Sequence, residues 1–456
     1  MPTSMQPSIA DWLDQHPEIQ SLRIAAADLN GIARGKRIPA AHGAKLDGTP
    51  VRMPYSALNV DIWGRDIENS PLVFDSGDAD GVLHMTERGP VPMPWLATPA
   101  ALVPCWMFHP DGTPFAGDAR HALAVVQNRL NARGLTPVIG SELEFYLCDD
   151  SELSETGAIH PPQIPGTGQR RRAGDVLSLA ALDGFDGFFS DLYAACDSMG
   201  IPADAATSES GVCQFEITLK HQTNVLRAAD DIYLFKMLTR GMARKHGFAA
   251  SFMAKPYKHD AGNGLHMHCS LLDDAGRNIF DDGSEIGSPA LRHAIRGALQ
   301  ALADSALFFA PHANSYARLV PEAHAPTGIC WGYDNRTVAL RVPDGPPKAR
   351  RIEHRVAGGD VNPYLAITAM LGGILNGIED AIDPPAPVSG NAYGQNLPQM
   401  PGSWDEAQSS ALNSPHVARI FPPELIRYLT DTKRQEATDL NDGDHAAQLV
   451  DYLDIV

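Results

Sequence analysis

The 456-residue sequence predicts an α+β protein in two parts, a small N-terminal module over residues 1–110 and a large domain over residues 111–456. Three observations point there. The length exceeds the roughly 100–200 residues of one ordinary domain. The first stretch is short strands and turns, and from Val138 to Arg355 segments of period two alternate with segments of helical period.

In chain order, Leu22–Leu29 is alternating and apolar-rich, a strand signal closed by the turn pair Asn30-Gly31. Gly89–Trp95 (GPVPMPW) is punctuation. His109-Pro110-Asp111-Gly112 marks the boundary, after which Asp118–Arg133 sets Ala, Leu and Val at helical spacing on one side. A polar insertion over Asp149–Gly174, ending in Arg170, Arg171 and Arg172, reads equally as a mobile flap and as an ordered surface loop. Asn362–Ile382 is helical, Asp383–Trp404 is rich in Pro, Gly and Asn, and the tail returns to helix.

Composition narrows the function classes. With 44% hydrophobic and 20% charged residues the chain is globular with a sizeable core. A net charge of −19 speaks against nucleic acid and anionic membranes as partners, and fits a cationic substrate. No stretch approaches the ~20 apolar residues that span a bilayer, and the first residues carry neither basic flank nor apolar signal core, so a cytoplasmic protein is expected. The six cysteines (105, 148, 196, 213, 269 and 330) form no Cys-x-x-Cys pair, which predicts reduced thiols.

The chemistry lies in the strands. Alternate strand residues share a face, so a polar i, i+2 pair among apolar neighbours presents both polar groups on one side. Glu142 and Glu144 do so in VIGSELEFYL, opposite Leu143, Phe145 and Leu147. Glu216 stands opposite Phe215 and Ile217, with Glu209 a short turn upstream. His266, His268 and Ser270 share a face in GNGLHMHCSL. Arg341 follows in VALRVP, and Arg351, Glu353 and Arg355 in RRIEHRV. One such strand is usually an ordinary half-buried strand with charge outward; five of them are not. Carboxylates with imidazole suit Mg²⁺ or Mn²⁺ better than zinc, since the donors are mainly hard oxygens and no thiolate joins them. Arginines beside such ions serve phosphoryl transfer, where developing charge needs fixed cations. Arg318 in NSYARLVP and Arg336 in DNRTVALRVP sit beside turn residues, where guanidinium forks hold carboxylate or phosphate, or form surface salt bridges. Gly262 and Gly264 suit close backbone approach to a ligand, or a plain turn.

These blocks, SELEFYL, ESGVCQFEI, SFMAKP, NGLHMHCSL, NSYARLVP, NRTVALRVP, KARRIEHR and NPYLA, together resemble the glutamine synthetase family over nearly the whole chain. The resemblance implies a small β-grasp domain followed by a catalytic domain with a curved antiparallel sheet, in a homo-oligomer of two stacked hexameric rings. It implies that Glu144, Glu209 and Glu216 hold one metal and Glu142, His266 and Glu353 a second. His268, Ser270, Arg341, Lys348 and Arg351 match positions around ATP. Gly262, Arg318, Arg336 and Arg355 match those holding glutamate and its phosphorylated γ-carboxylate, with Arg318, Arg336 and Glu353 as the catalytic set. The implied reaction is ATP-dependent ligation of glutamate to an amine through a γ-glutamyl phosphate.

Departures from the family pattern bear on the amine. Where ammonia-using members carry a loop glutamate, RLVPEAHAP has His324, with Glu322 two residues before it. Where they carry an Asp-Gly-Ser-Ser turn serving the neighbouring subunit, MPYSALNVDIWG offers only Asp61. Losing both acids predicts a substituted small amine, and the block from Ala325 to Pro343 is similar to the γ-glutamylpolyamine (γ-glutamylputrescine) synthetase branch. An ammonia-using glutamine synthetase and a non-catalytic sensor or structural ring stay open beside it. Tyr393 lies in the loop that carries the regulatory tyrosine of adenylylated members, outside its usual context.

Overall fold

The computed structural model describes residues 8–321, 325–440 and 444–456. Two sheets organise them. β1 (Ser21–Ala27), β2 (Ala33–Pro39), β3 (Val51–Pro54), β4 (Asp80–Met85), β5 (Val91–Pro92) and β6 (Ala100–Phe108) form the first. Its order is β2-β1-β6-β4-β3, with β5 on β6, and among the described pairs of this sheet only β1/β6 is parallel.

The second sheet contains β7 (Thr136–Cys148), β8 (Ala203–Ser208), β9 (Gln214–Gln222), β10 (Ala249–Ser251) and β11 (Leu265–Leu272), then β12 (Trp331–Tyr333), β13 (Leu340–Val342) and β14 (Ile352–His354). The order is β12-β13-β14-β11-β7-β9-β8, with β10 on β7. The expected α+β class is what the chain adopts. One pair departs from the expected antiparallel sheet: β12 and β13 run parallel. Residues 334–339 return the chain to the start of β12, fastened by Asn335 Nδ2, which donates to the carbonyls of Val388 at 3.2 Å and Gly390 at 2.8 Å.

The reverse face of the second sheet explains why it holds register. Leu143, Phe145, Leu147, Phe215, Ile217, Leu265, Met267, Cys269 and Leu271 are all buried. Phe145 and Phe215 lie 6.2 Å apart and meet Phe185, Phe189 and Phe252 from helices and strands below. Each such side chain contributes about 2–3 kcal/mol, and a one-residue slip would turn all of them toward solvent. The acids are thus placed on the open face by the apolar residues between them.

Caps and buried pairs fix the frame around this sheet. The helix Pro363–Asp380 starts on Pro363 with Asn362 as N-cap, accepting from Tyr364 and Leu365, while Asn362 Nδ2 donates to Asp28 O at 3.0 Å in the first sheet's turn. The helix Pro423–Asp439 carries the fully buried pair Lys433–Glu436 at 2.9 Å, which takes Asn30 on both sides. The insertion after β7 is ordered by bridges Asp149↔His160 and Gln163↔Arg170 and by Arg170–Asp149 at 2.5 Å. All six cysteines are buried and unpaired. Among the described residues no helix is long and apolar enough to cross a membrane.

Candidate active site

Strand pairing sets the site. Antiparallel register places Glu142 across from His266, Glu144 across from Glu216, and both His268 and Arg341 across from Glu353, so five strands deliver their polar residues to one surface. Glu142 is the hub. Its Oε2 lies 3.2 Å from His266 Nδ1 and its Oε1 lies 3.0 Å from His268 Nε2. Ligand atoms of Glu142, Glu216 and His266 come within 4.8 Å of one another, as do those of Glu142, His268 and Glu353. Glu144 instead accepts the Gly264 N–H at 2.6 Å, and Glu209 stands with Thr207, whose hydroxyl donates to Glu209 at 3.4 Å and Glu216 at 3.5 Å.

A cavity of about 610 Å³ opens onto these groups. Glu142, Glu144, Glu209, Glu216 and His266 form one wall, and Arg318, Arg336, Arg355 and Gly262 another. Gly262 must be glycine: a Cβ there would meet Ala254 O at 2.6 Å and the Arg318 stem at 2.7 Å. At Gly264 a Cβ would reach the Arg318 guanidinium at 2.8 Å, so a side chain would push apart the residues the site brings together. Arg318 is buried and donates to Val356 O at 2.6 Å, which fixes its fork at the cavity edge.

Behind Glu142 the remaining residues form a second group. Glu353 is buried between Arg341, at 2.7 Å, and Arg355, and Arg341 also reaches Asp334 at 2.5 Å. Arg351 Nε donates to His268 Nδ1 at 3.2 Å. The Ser270 hydroxyl is committed to the backbone before β14, donating to Arg350 O at 3.1 Å, and Lys348 is exposed on the turn Pro347–Ala349. His354, next to Glu353, faces the core against Phe309, and burial drives its imidazole down to about 3. It is a neutral core residue.

Three features differ from what the sequence suggested or escaped it. Asp61 is no donor of an acid to a neighbour: it is fully buried and accepts from the N–H groups of Trp63 and Arg65, from Arg65 Nε at 2.7 Å and from Gln435 Nε2 at 2.9 Å. Its carboxylate closes its own loop. Tyr393 lines the cavity with its hydroxyl buried and without a hydrogen-bond partner; burial pushes its phenol up, against Arg355 and Arg318. Thr207, Gln214, Val176 and Leu177 also border the cavity. Thr207 and Gln214 obey the same i, i+2 rule relative to Glu209 and Glu216, so the pattern that found the acids contained them. Glu322 and His324 lie outside the described residues.

Electrostatics identify what the site is built for. Burial opposes ionisation of Glu142, but His266 and His268 outweigh it and hold its carboxyl well below the usual range. For Glu353 burial is likewise overcome, by Arg355, His266, His268 and Arg341. Glu209 goes the other way, pushed up to about 7 by burial and then by Glu144, and Glu216 is raised by burial and by Glu142, Glu144 and Glu209. Among the described residues no lysine or arginine ion-pairs with Glu142, Glu144, Glu209 or Glu216. Crowded carboxylates with imidazoles and no thiolate fit hard divalent cations.

A pH dependence follows. A carboxyl raised in the fold keeps a proton that the unfolded chain loses above roughly pH 4.3, so these two acids stabilise the metal-free fold at low pH; Glu209 loses that contribution as pH rises through about 7 and Glu216 as it rises through about 9. A cation must displace those protons. Magnesium is therefore expected to raise the thermal midpoint more at about pH 8 than at about pH 6, with proton release on binding. Equal increments at both pH values, without proton release in calorimetry, would show both acids already ionised.

Crowded carboxylates that fit divalent cations face a bank of arginines across one cavity, an arrangement suited to an ATP-dependent ligase. The chain belongs to the glutamine synthetase family: the model described as "Glutamine synthetase, catalytic domain" matches residues 116–452. It is a carbon–nitrogen ligase. The gamma-glutamylputrescine synthetase of Escherichia coli K12 is 37% identical over 432 residues, 93% of this chain and 90% of that protein. A glutamate–isopropylamine ligase from a Pseudomonas species is 30% identical over 463 residues, 98% of each chain. A solved GmaS–ADP complex superposes with a TM-score of 0.81 at 25% identity, covering 95% of this chain and 96% of the other.

Proposed function

We propose that the protein joins the γ-carboxylate of L-glutamate to an organic amine, putrescine or a related amine, through a γ-glutamyl phosphate. The observation that carries the reading is the convergence of Glu142, Glu144, Glu209, Glu216 and His266 with Arg318, Arg336 and Arg355 on one cavity. In this reading glutamate is held by the Gly262 backbone and by Arg318, Arg336 and Arg355, and His324, at the position of the ammonium-pocket glutamate of ammonia-using members, belongs to the amine side of the substrate site. The ATP phosphates lie toward His268, Ser270, Arg341, Lys348 and Arg351. Mg²⁺ or Mn²⁺ held by Glu142, Glu144, Glu209, Glu216, His266 and Glu353 would offset repulsion between the two anionic substrates.

In the first step a γ-carboxylate oxygen attacks the γ-phosphorus and ADP departs. In the second the amine nitrogen attacks the acyl carbon, phosphate departs and the nitrogen gives up a proton. Arg318 and Arg336 supply fixed positive charge where the transferred phosphoryl group carries most negative charge, and the burial of Arg318 strengthens its share of that attraction. The Tyr393 hydroxyl offers a further donor to the same anions.

An organic amine rather than ammonia is favoured by the acids that are missing or spent. His324 stands where ammonia-using relatives carry glutamate, and the Asp61 carboxylate is consumed within its own loop. The relatives named for putrescine and isopropylamine support the same choice. Two stacked hexameric rings, a cytoplasmic site of action and a domain division near residue 110 belong to this proposal as well. The test supplies ATP, glutamate and a panel of amines including ammonia, with products identified by mass spectrometry. A γ-glutamyl amide of an organic amine is expected as main product. Efficient glutamine formation with no organic amide would overturn the reading in favour of a glutamine synthetase, and no turnover with any acceptor would favour a sensor.

A further inference from the structure

The cavity has a third wall that the phosphoryl chemistry leaves unused. Val176 and Leu177 border the same space as Glu209, Glu216 and Arg336, yet they are 56% and 70% exposed. Large aliphatic side chains left open at the mouth of a charged cavity mark a surface for an apolar group. Leu177 also has φ +57°, in the left-handed region that a residue with a branched side chain adopts only under constraint.

The constraint is visible. The Leu177 N–H donates to Ser208 O at 2.9 Å, the Ser178 N–H donates to Ser208 Oγ at 2.8 Å, and Ser208 Oγ donates to Asp175 O at 2.7 Å. Ser208 is buried, ends β8 and directly precedes Glu209. The strained leucine is therefore fastened to the strand end that carries the carboxylates, and its distance from them is fixed by the sheet rather than by a free loop.

We propose that Val176 and Leu177 are the specificity wall for the acceptor, taking the hydrocarbon chain of a short primary alkylamine so that chain length selects the substrate. This rests on the amine-ligase reading above. In this reading the wall covers methylenes beyond the reacting nitrogen.

The test measures kcat/KM for methylamine, ethylamine, propylamine and butylamine with saturating ATP and glutamate, a series in which only apolar length changes. Wild type is expected to gain about fourfold per added methylene until the wall is filled. In Leu177→Gly and in Val176→Ser that gain should fall below about twofold per methylene, while KM for glutamate stays within about twofold. Leu177→Gly keeps the positive φ without a Cβ, so its thermal midpoint should equal or exceed that of wild type, which separates loss of the wall from loss of the fold. A wild type that makes amides but shows no length dependence, or variants that retain the full slope, would overturn the wall. A wild type that forms only glutamine would instead overturn the amine reading on which it rests.

Discussion

Glu142→Gln is expected to lower glutamate- and metal-dependent ATP turnover by about a thousandfold, equivalent to ~4 kcal/mol of transition-state stabilisation. Glu142 is the residue common to both groups of converging ligand atoms, and it touches both His266 and His268. Glutamine has the same length, and its amide oxygen can accept from His268 while its NH2 donates to His266 Nδ1, so packing survives. Removing one negative charge from beside Glu144, Glu209 and Glu216 relieves repulsion in the metal-free protein but gives up its stronger attraction to His266 and His268. The thermal midpoint should fall modestly while the increment given by magnesium disappears. Near-normal turnover together with an intact magnesium increment would remove Glu142 from the centre of the site.

Glu353→Ala should fail differently. Glu353 is 1% exposed and pairs with both Arg341 and Arg355, so the alanine variant leaves Arg355 without a counter-charge and Arg341 with Asp334 alone. Stripping one partner from a buried ion pair costs about 3–5 kcal/mol. At roughly 2–4 °C per kcal/mol the midpoint falls by about 10 °C, and phosphoryl transfer is lost with it. Glu353→Gln keeps the volume and one acceptor, so it should recover most of the midpoint while activity stays low. Differential scanning calorimetry and ATP turnover on the two variants separate the roles. An alanine variant as stable as wild type would mean the arginines find other partners, and an active glutamine variant would show that the charge is not needed for transfer.

These two residues also show how unevenly the sequence speaks. Glu142-x-Glu144 and His266-x-His268 could be assigned to one strand face from the alternation of Leu143, Phe145, Leu265 and Met267, because burial of those apolar residues leaves the polar ones no other direction. The same rule covered Thr207 and Gln214, which were passed over because an uncharged side chain gives no sign of cation chemistry by itself. For Asp61 the sequence misled. An acid in a turn looks available, and only the structure reveals that its own loop and Gln435 consume both oxygens.

The sequence by itself determined the α+β class and the strands that carry the acids, imidazoles and arginines, with the shared face of each, because period-two alternation is a local property enforced by the cost of exposing aliphatic and aromatic side chains. The tertiary structure alone decided which faces meet. It set Glu142 against His266 across more than a hundred residues, seated Glu353 between two arginines, turned the Tyr393 hydroxyl inward and clamped Leu177 in a left-handed conformation beside the acids. Such contacts depend on pairing between distant segments, whose register is chosen by the whole buried surface at once, and no window of neighbouring residues contains that information.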